Sequence, residues 1–337
     1  MPRILITGNG FDLSFGLPTG YSEFIRICNK LISLTEFQWS MIKDDIKILK
    51  ESSNLPSTNF PDFEEFQNKI KGNTWYKYLS REYSIETWID FEKHIEKALT
   101  VLHLNLEEIR LNTFLKSGRI NKDTNLRYQK NLQIIDYVSY LTLLDFKIIH
   151  LSNPTSTFTW INPTYFKLID DYYVDFESNK LFDIVLKELN IFRDIFSEYL
   201  QTIVLPLYDL IGFDNKKVLL QRIDHHFTFN YTPSFSKLVS SKIPTTFLHG
   251  DLKSNNIVLG INDWGNVDKD APNFIPFTKY FQKLNFNIDL KFVREVNSED
   301  DLYQFFFWGH SLDKSDALYI NEVFDMVGET RDNKFQR

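Results

Sequence analysis

Hydrophobic positions switch period along the chain. Residues 3–7, Arg-Ile-Leu-Ile-Thr, form a short apolar run, which reads as a buried parallel strand. From Tyr21 the spacing turns helical: Phe24, Ile25, Cys28, Leu31, Ile32 and Leu34 recur at roughly helical intervals, with Ser22 placed to cap them. A polar stretch with Pro56 and Pro61 interrupts at 51–62, and helical spacing returns over 62–71, 85–117, 125–147, 163–176 and 180–211. Near residue 222 the texture changes. Ile223–Asn230, Thr245–His249, Asn256–Gly260 and 303–308 read as strands, Ala317–Met326 as a closing helix, and 329–337 as a frayed tail. The pattern predicts an α/β fold, a Rossmann-like parallel sheet flanked by helices with a large helical insertion after its first β-α unit. Residues 1–50 and 215–330 would form the α/β core, and residues 51–214 the helical insertion packing on it.

Four motifs follow apolar strands, where the carboxyl ends of parallel strands form a crevice. They are Gly8-Asn-Gly-Phe-Asp12, Phe229-Asn-Tyr-Thr232, Leu248-His-Gly-Asp251 and Trp308-Gly-His-Ser-Leu-Asp313. In a doubly wound sheet, four such ends converge. Gly8 and Gly10 fit a dinucleotide turn, but position 13 is Leu and the next glycine is Gly16, so the Gly-x-Gly-x-x-Gly fingerprint fails. The motif is then either a phosphate-binding turn or a tight loop after a strand. His249 and His310 lie at strand ends beside glycine, either as general bases near neutrality or as satisfied structural side chains. Asn230 has an amide suited to a ribose hydroxyl and is equally at home in a turn. In Thr87-Trp-Ile-Asp-Phe-Glu-Lys-His94, the sequence places Asp90 and Glu92 on different sides of a helix. That segment is either a capped, solvated helix start or an insertion helix lending a carboxylate to the crevice.

Composition narrows the classes. A formal net charge of -7 argues against non-specific nucleic-acid binding. The single cysteine, Cys28, excludes a disulfide within the chain and a zinc site built from thiolates. The abundant aromatics, 31 Phe and 16 Tyr, read as core filling. No apolar run nears the roughly 18 residues of a membrane span, and the Met-Pro-Arg start leads straight into a strand. A soluble cytoplasmic protein is expected.

The stretch Leu248-His-Gly-Asp-Leu-Lys-Ser-Asn-Asn-Ile-Val-Leu-Gly-Ile-Asn-Asp-Trp264 resembles the catalytic segment of aminoglycoside and choline kinases. That resemblance implies Asp251 as base and Asn256 and Asp263 as magnesium ligands. Only six residues separate Asn256 from Asp263, too few for the usual hairpin, and the helical first 120 residues lack a kinase β-lobe.

Taken in order, the motifs resemble the AbiH family of bacterial abortive-infection proteins. The matching segments are residues 6–19, Trp88-Ile-Asp-Phe-Glu92, Phe227-Thr-Phe-Asn-Tyr-Thr232, Leu248-His-Gly, Val258–Asp263 and Trp308–Asp313. The same order is similar to sirtuin-like domains, with Asn9 in place of a small residue, Thr232 in place of an Asp, and the four zinc cysteines absent. The resemblance implies NAD as substrate or ligand, and no zinc. Gly8, Asn9, Gly10, Phe11 and Asp12 would line the phosphates and ribose, and Gly309, His310 and Ser311 the adenosine side. Asn230 would orient the nicotinamide ribose, His249 would act as base, and Glu92 or Asp12 would steady developing positive charge. It further implies an antiphage effector that hydrolyses NAD+ to nicotinamide and ADP-ribose, with a phage-encoded trigger or a partner defence protein, and a homo-oligomer, as prospective partners. A non-catalytic nucleotide sensor stands as an alternative. So does a nuclease-type toxin in which Asp90, Glu92 and Asp251 meet.

Overall fold

Ile4, Leu5 and Ile6 point alternately into two hydrophobic cores, and all three are buried. A strand this apolar on both faces belongs in the middle of a sheet covered on both sides. The structure is a computed structural model. It describes residues 1–35, 63–81, 88–114, 120–121, 137–151, 159–169, 172–211, 220, 222–262, 272–288, 292–293, 296, 302–312 and 316–334.

The chain opens with β1 (Arg3–Thr7), α1 (Asn9–Ser14) and α2 (Tyr21–Leu31). A helical region follows with α3 (Phe63–Gly72), α4 (Thr74–Arg81) and α5 (Trp88–Phe114). Then come β2 (Ile120–Asn121), α6 (Tyr137–Asp145), β3 (Ile149–Leu151), β4 (Thr159–Ile161), β5 (Phe166–Ile169), β6 (Tyr172–Phe176) and α7 (Ser178–Tyr199). Helix α7 runs directly into a π turn at Leu200–Val204 and a 3-10 turn at Leu205–Leu210. The last stretch holds β7 (His225–Thr228), α8 (Ser234–Leu238), β8 (Thr245–Phe247), α9 (Lys279–Asn285), β9 (Gln304–Trp308) and α10 (Ala317–Lys334).

Four strands form a parallel sheet in the order β8-β7-β1-β9. The chain adds β7 and β8 on one side of β1 and then crosses to add β9 on the other. The order reverses between β1 and β9, and ligands of open α/β sheets bind at such a switch point, beyond the carboxyl ends. The α/β sheet of the sequence reading is therefore present.

One face of the sheet packs Ile4 and Ile6 with Phe227, Phe229 and Leu248 beneath Tyr319 and Val323 of α10. The other face, through Leu5, joins a larger core built by the helices. Phe24 of α2 meets Phe192, Phe196 and Tyr199 of α7 with ring centroids 5.0–5.7 Å apart. Phe91 of α5 stacks on Phe192 at 5.6 Å and leans on Tyr21 at 5.1 Å. These edge and stacked contacts fix α5 against α2 and α7. The next residue along α5 is Glu92.

Several expectations need correction. Pro163–Tyr165 form a short 3-10 turn, and Phe166–Ile169 and Tyr172–Phe176 pair as the antiparallel strands β5 and β6, in place of the helix expected over 163–176. The segment is dense in β-formers, and its apolar spacing suits either period. Asn256–Gly260, buried from Ile257 on, joins no strand: Val258 N–H bonds the His249 carbonyl at 3.0 Å. The Gln282 side chain takes both the Leu259 N–H (3.2 Å) and its C=O (2.8 Å), replacing a ladder partner. Ser22 does not cap α2, because Gly20 is the N-cap and Ser22 donates to Glu23. Helix α10 runs on to Lys334, through most of the expected tail. No proline stops it, and Gly328 weakens a helix without ending it. The expected helical positions 85–87, 115–117 and 125–136, the polar stretch at 51–62, and Asp263 and Asp313 lie outside the described residues. Among the described residues no helix is long and apolar enough to cross a membrane.

Candidate functional site

The carboxyl ends of the parallel strands open into a cleft of about 340 Å³. All four strand-end motifs reach it, and α5 supplies Glu92 from the side. Of the residues singled out in the sequence, Gly8, Asn9, Gly10, Asp12, Glu92, Asn230, His249, Gly309, His310 and Ser311 line the cleft. Phe11 lies behind the wall, 1% exposed, in edge contact with Phe15 and Trp308.

The first motif is locked to the last. Gly8 N–H bonds the Trp308 carbonyl at 3.2 Å, and Gly10 N–H bonds the Gly309 carbonyl at 2.9 Å. Gly309 has φ +65°, and a Cβ there would sit 2.1 Å from the Phe11 nitrogen. Only glycine combines that backbone conformation with so close an approach. The glycines thus let the β1 and β9 loops touch. The N–H groups of Gly10 and Phe11 are both spent inside the protein, the latter on the Gly8 carbonyl at 2.9 Å. Asn9 braces the loop by accepting from the Thr19 hydroxyl at 2.7 Å.

Asn230 follows β7 and Phe229. Its amide nitrogen donates to the Gly8 carbonyl at 3.0 Å, and its backbone N–H bonds the Thr228 hydroxyl at 3.0 Å. It thereby ties the second motif to the first while its amide oxygen remains available to the cleft. Asp12 is 1% exposed. Thr232 donates a short hydrogen bond to its Oδ2, and the buried Oδ1 meets no hydrogen-bond donor within bonding geometry among the described residues. Thr232 continues to Ser234 at 3.2 Å, and Ser234 to Tyr208 at 2.7 Å. Burial pushes the Asp12 carboxyl up to about 6, against the opposing pull of Ser234, Thr232 and Asn230.

His249, after β8, is 5% exposed and packs edge-on against Phe229 at 5.2 Å. Burial, aided by the charge of Lys283, holds its imidazole down to about 3, although Asp316 pulls the other way. The ring is therefore neutral at physiological pH. Its Nε2 stands 3.1 Å from Asp316 Oδ1, off-axis for a hydrogen bond. The other oxygen of Asp316 meets His310 Nε2 at 3.3 Å. Lys279, buried, reaches Glu92 Oε1 at 2.5 Å and Asp316 Oδ1 at 3.7 Å. Burial alone would raise the Asp316 carboxyl, but Lys279 and His249 hold it well below the usual carboxylate range. Burial works against the Lys279 charge too, yet Glu92 and Asp316 raise its pKa.

Asp316 and Lys279 were not foreseen. Asp316 had one signal, an acid directly preceding a predicted helix, which reads as a cap. Lys279 had none, being an ordinary cation after a Pro- and Phe-rich stretch. The kinase-like segment has a local explanation. Asp251 Oδ1 accepts from Ser254 N–H at 2.9 Å, and Asn256 Oδ1 from Asp251 N–H at 2.8 Å, in a turn that contains Gly250 at φ +82°. Neither residue lines the cleft.

A family model described as Bacteriophage abortive infection AbiH matches residues 4–335. No curated protein and no solved structure is matched.

Proposed function

The chain belongs to the bacteriophage abortive infection AbiH family, and from that premise we propose that it is an abortive-infection effector that hydrolyses NAD+ in the switch-point cleft. Membership implies a role in phage abortive infection; the chemistry is the proposal. It rests above all on one observation: Asn230, His249 and Glu92, brought by three separate segments, line a single cleft.

The reaction needs no redox step. The bond between the ribose C1′ and the nicotinamide nitrogen breaks, and its electron pair leaves with nicotinamide. Water adds to C1′ and gives up a proton, and ADP-ribose is the other product. The transition state is oxocarbenium-like, so positive charge develops on the ribose. The described cleft residues suit that charge: Asp12, Glu23, Glu92 and Asp316 line it, with no Lys or Arg among them. Fixed negative groups aimed at the developing charge are usually the largest single contribution to lowering such a barrier. In this reading the Asn230 amide oxygen accepts a ribose hydroxyl and orients the sugar. Neutral His249 accepts the proton of the incoming water. Its weak basicity is adequate, because an oxocarbenium carbon captures water before much proton transfer is required.

Purified protein incubated with NAD+ is expected to release equimolar nicotinamide and ADP-ribose, measured by mass spectrometry. His249→Ala should slow release at least about 100-fold while NAD+ still binds. Wild-type protein that binds NAD+ but leaves it intact, alone and in phage-infected cells, would replace the hydrolase with a nucleotide sensor.

A further inference from the structure

The cleft holds two histidines, and one carboxylate touches both. Leu312 donates its backbone N–H to His310 Nδ1 at 2.9 Å. That nitrogen must carry the lone pair, so the ring proton of neutral His310 sits on Nε2. His310 Nε2 in turn faces Asp316 Oδ2 at 3.3 Å. The second oxygen, Oδ1, lies 3.1 Å from Nε2 of His249. Both of these atoms are buried. A lone pair on Nε2 would set two acceptors against each other away from water, which is costly. The proton of His249 therefore belongs on Nε2 as well, and its lone pair on Nδ1.

The other groups around the carboxylate keep it charged and in place. Lys279 Nζ lies 3.7 Å from Oδ1 and is itself held by Glu92. Phe229 packs against both imidazoles, with centroids 5.2 Å from His249 and 4.2 Å from His310. Tyr319 adds an edge contact to His249 at 6.5 Å, and Lys283 donates to the Tyr319 hydroxyl at 2.9 Å. The ring planes are thus set by aromatics, the proton position of His249 by Asp316, and that of His310 by the Leu312 N–H with Asp316.

We propose that Asp316 is the positioning residue of the site, fixing His249 as the Nε2–H tautomer and, together with the Leu312 N–H, His310 likewise, so that His249 presents Nδ1 to the cleft as its proton acceptor. The assignment of His249 as acceptor rests on the hydrolase reading, whereas the tautomers do not. In the resting geometry the His249 contact is off-axis, and a rotation of the ring about its Cβ–Cγ bond would be needed to align it. Substrate entry would complete that alignment, leaving Nδ1 to take the proton of the attacking water.

Two measurements on the full-length protein decide the matter. With 15N-labelled histidine, long-range 1H–15N correlation spectra report the tautomer of each ring, assigned through His249→Gln and His310→Gln. His249 is expected as a neutral Nε2–H form between pH 6 and 8, and the neutral form of His310 is expected to carry its proton on Nε2 as well. Asp316→Asn should leave His249 with mixed tautomers, and Asp316→Glu should restore the single form. In turnover, Asp316→Asn should lower kcat for nicotinamide release by about 100-fold with KM changed less than about threefold, and Asp316→Glu should recover part of the loss. A wild-type His249 carrying its proton on Nδ1 would overturn the proposal without any Asp316 variant. So would an Asp316→Asn protein, folded by circular dichroism, that keeps the wild-type tautomer and kcat. If no NAD+ is cleaved at all, the hydrolase reading fails while the tautomer spectra still decide the role of Asp316.

Discussion

Asp12 shows how one buried group records a compromise between function and stability. Its carboxyl is raised from 3.8 to about 6, chiefly by burial. The folded protein therefore holds a proton that the unfolded chain releases. That contribution is complete below pH 3.8 and is lost as pH rises through 6. Ionised Asp12 then costs about 3 kcal/mol at pH 8 and about half that at pH 5. Asparagine has nearly the same shape, keeps an oxygen to accept from Thr232, and carries no charge. Asp12→Asn is expected to stabilise the protein by up to about 3 kcal/mol at pH 8, with the gain shrinking toward pH 5. Urea unfolding at the two pH values measures it, and a gain of the same size at both would refute the assignment. The same variant should weaken binding of a cationic ligand group, since Asp12 lines the cleft and the substitution removes its charge.

Among the elements, the junction of α5, α9 and α10 is the one most exposed to a single substitution. Lys279 from α9 is the buried cation between Glu92 of α5 and Asp316 at the start of α10. Removing one partner of such a group leaves buried charge uncompensated, at about 3–5 kcal/mol. Lys279→Met should lose stability of that order, and Lys279→Met combined with Glu92→Gln should recover a large part, read by chemical denaturation. An additive double variant would mean that the lysine acts through packing alone. This junction also marks where sequence stops being informative. The four strand ends could be read because each pairs an apolar run with a fixed short motif, and the parallel sheet brings such ends together. Glu92 could be read because Asp90, Glu92 and His94 stand out on a helix. Lys279 and Asp316 could not, because neither lies in a motif and, His310 apart, their partners are far away along the chain. The β5–β6 hairpin was misread for a related reason: a short aromatic run has no period of its own, and pairing decides it. Asn256–Gly260 has strand composition, but Gln282 occupies the hydrogen-bonding positions of Leu259 that a neighbouring strand would need.

At the scale of the molecule, the two most deeply buried histidines of the sheet region set its response to acid. His226 is wedged between Thr7 and Thr245 hydroxyls, each at 3.0 Å, and stacks on Phe235 at 4.1 Å. Burial lowers both His226 and His249 from 6.5 to about 3. The unfolded chain then binds protons that the folded protein refuses, so stability falls as pH drops below 6.5. Each histidine loses about 2 kcal/mol between pH 7 and pH 5, roughly 4 kcal/mol together. Asp12 opposes them, because its native carboxyl gains a proton over the same interval, but it returns only about 1 kcal/mol. Asp316 stays ionised throughout this window and contributes nothing to the change. A net loss of about 3 kcal/mol is a large share of the 5–15 kcal/mol typical of a folded domain. The protein should therefore be markedly less stable at pH 5 than at pH 7 in urea titrations. His226→Gln keeps a polar side chain against the two threonines and removes one titrating ring. It should cut the pH 7-to-5 loss by about 2 kcal/mol, whatever it does to stability at pH 7. An undiminished pH dependence in that variant would move the origin of acid sensitivity away from His226.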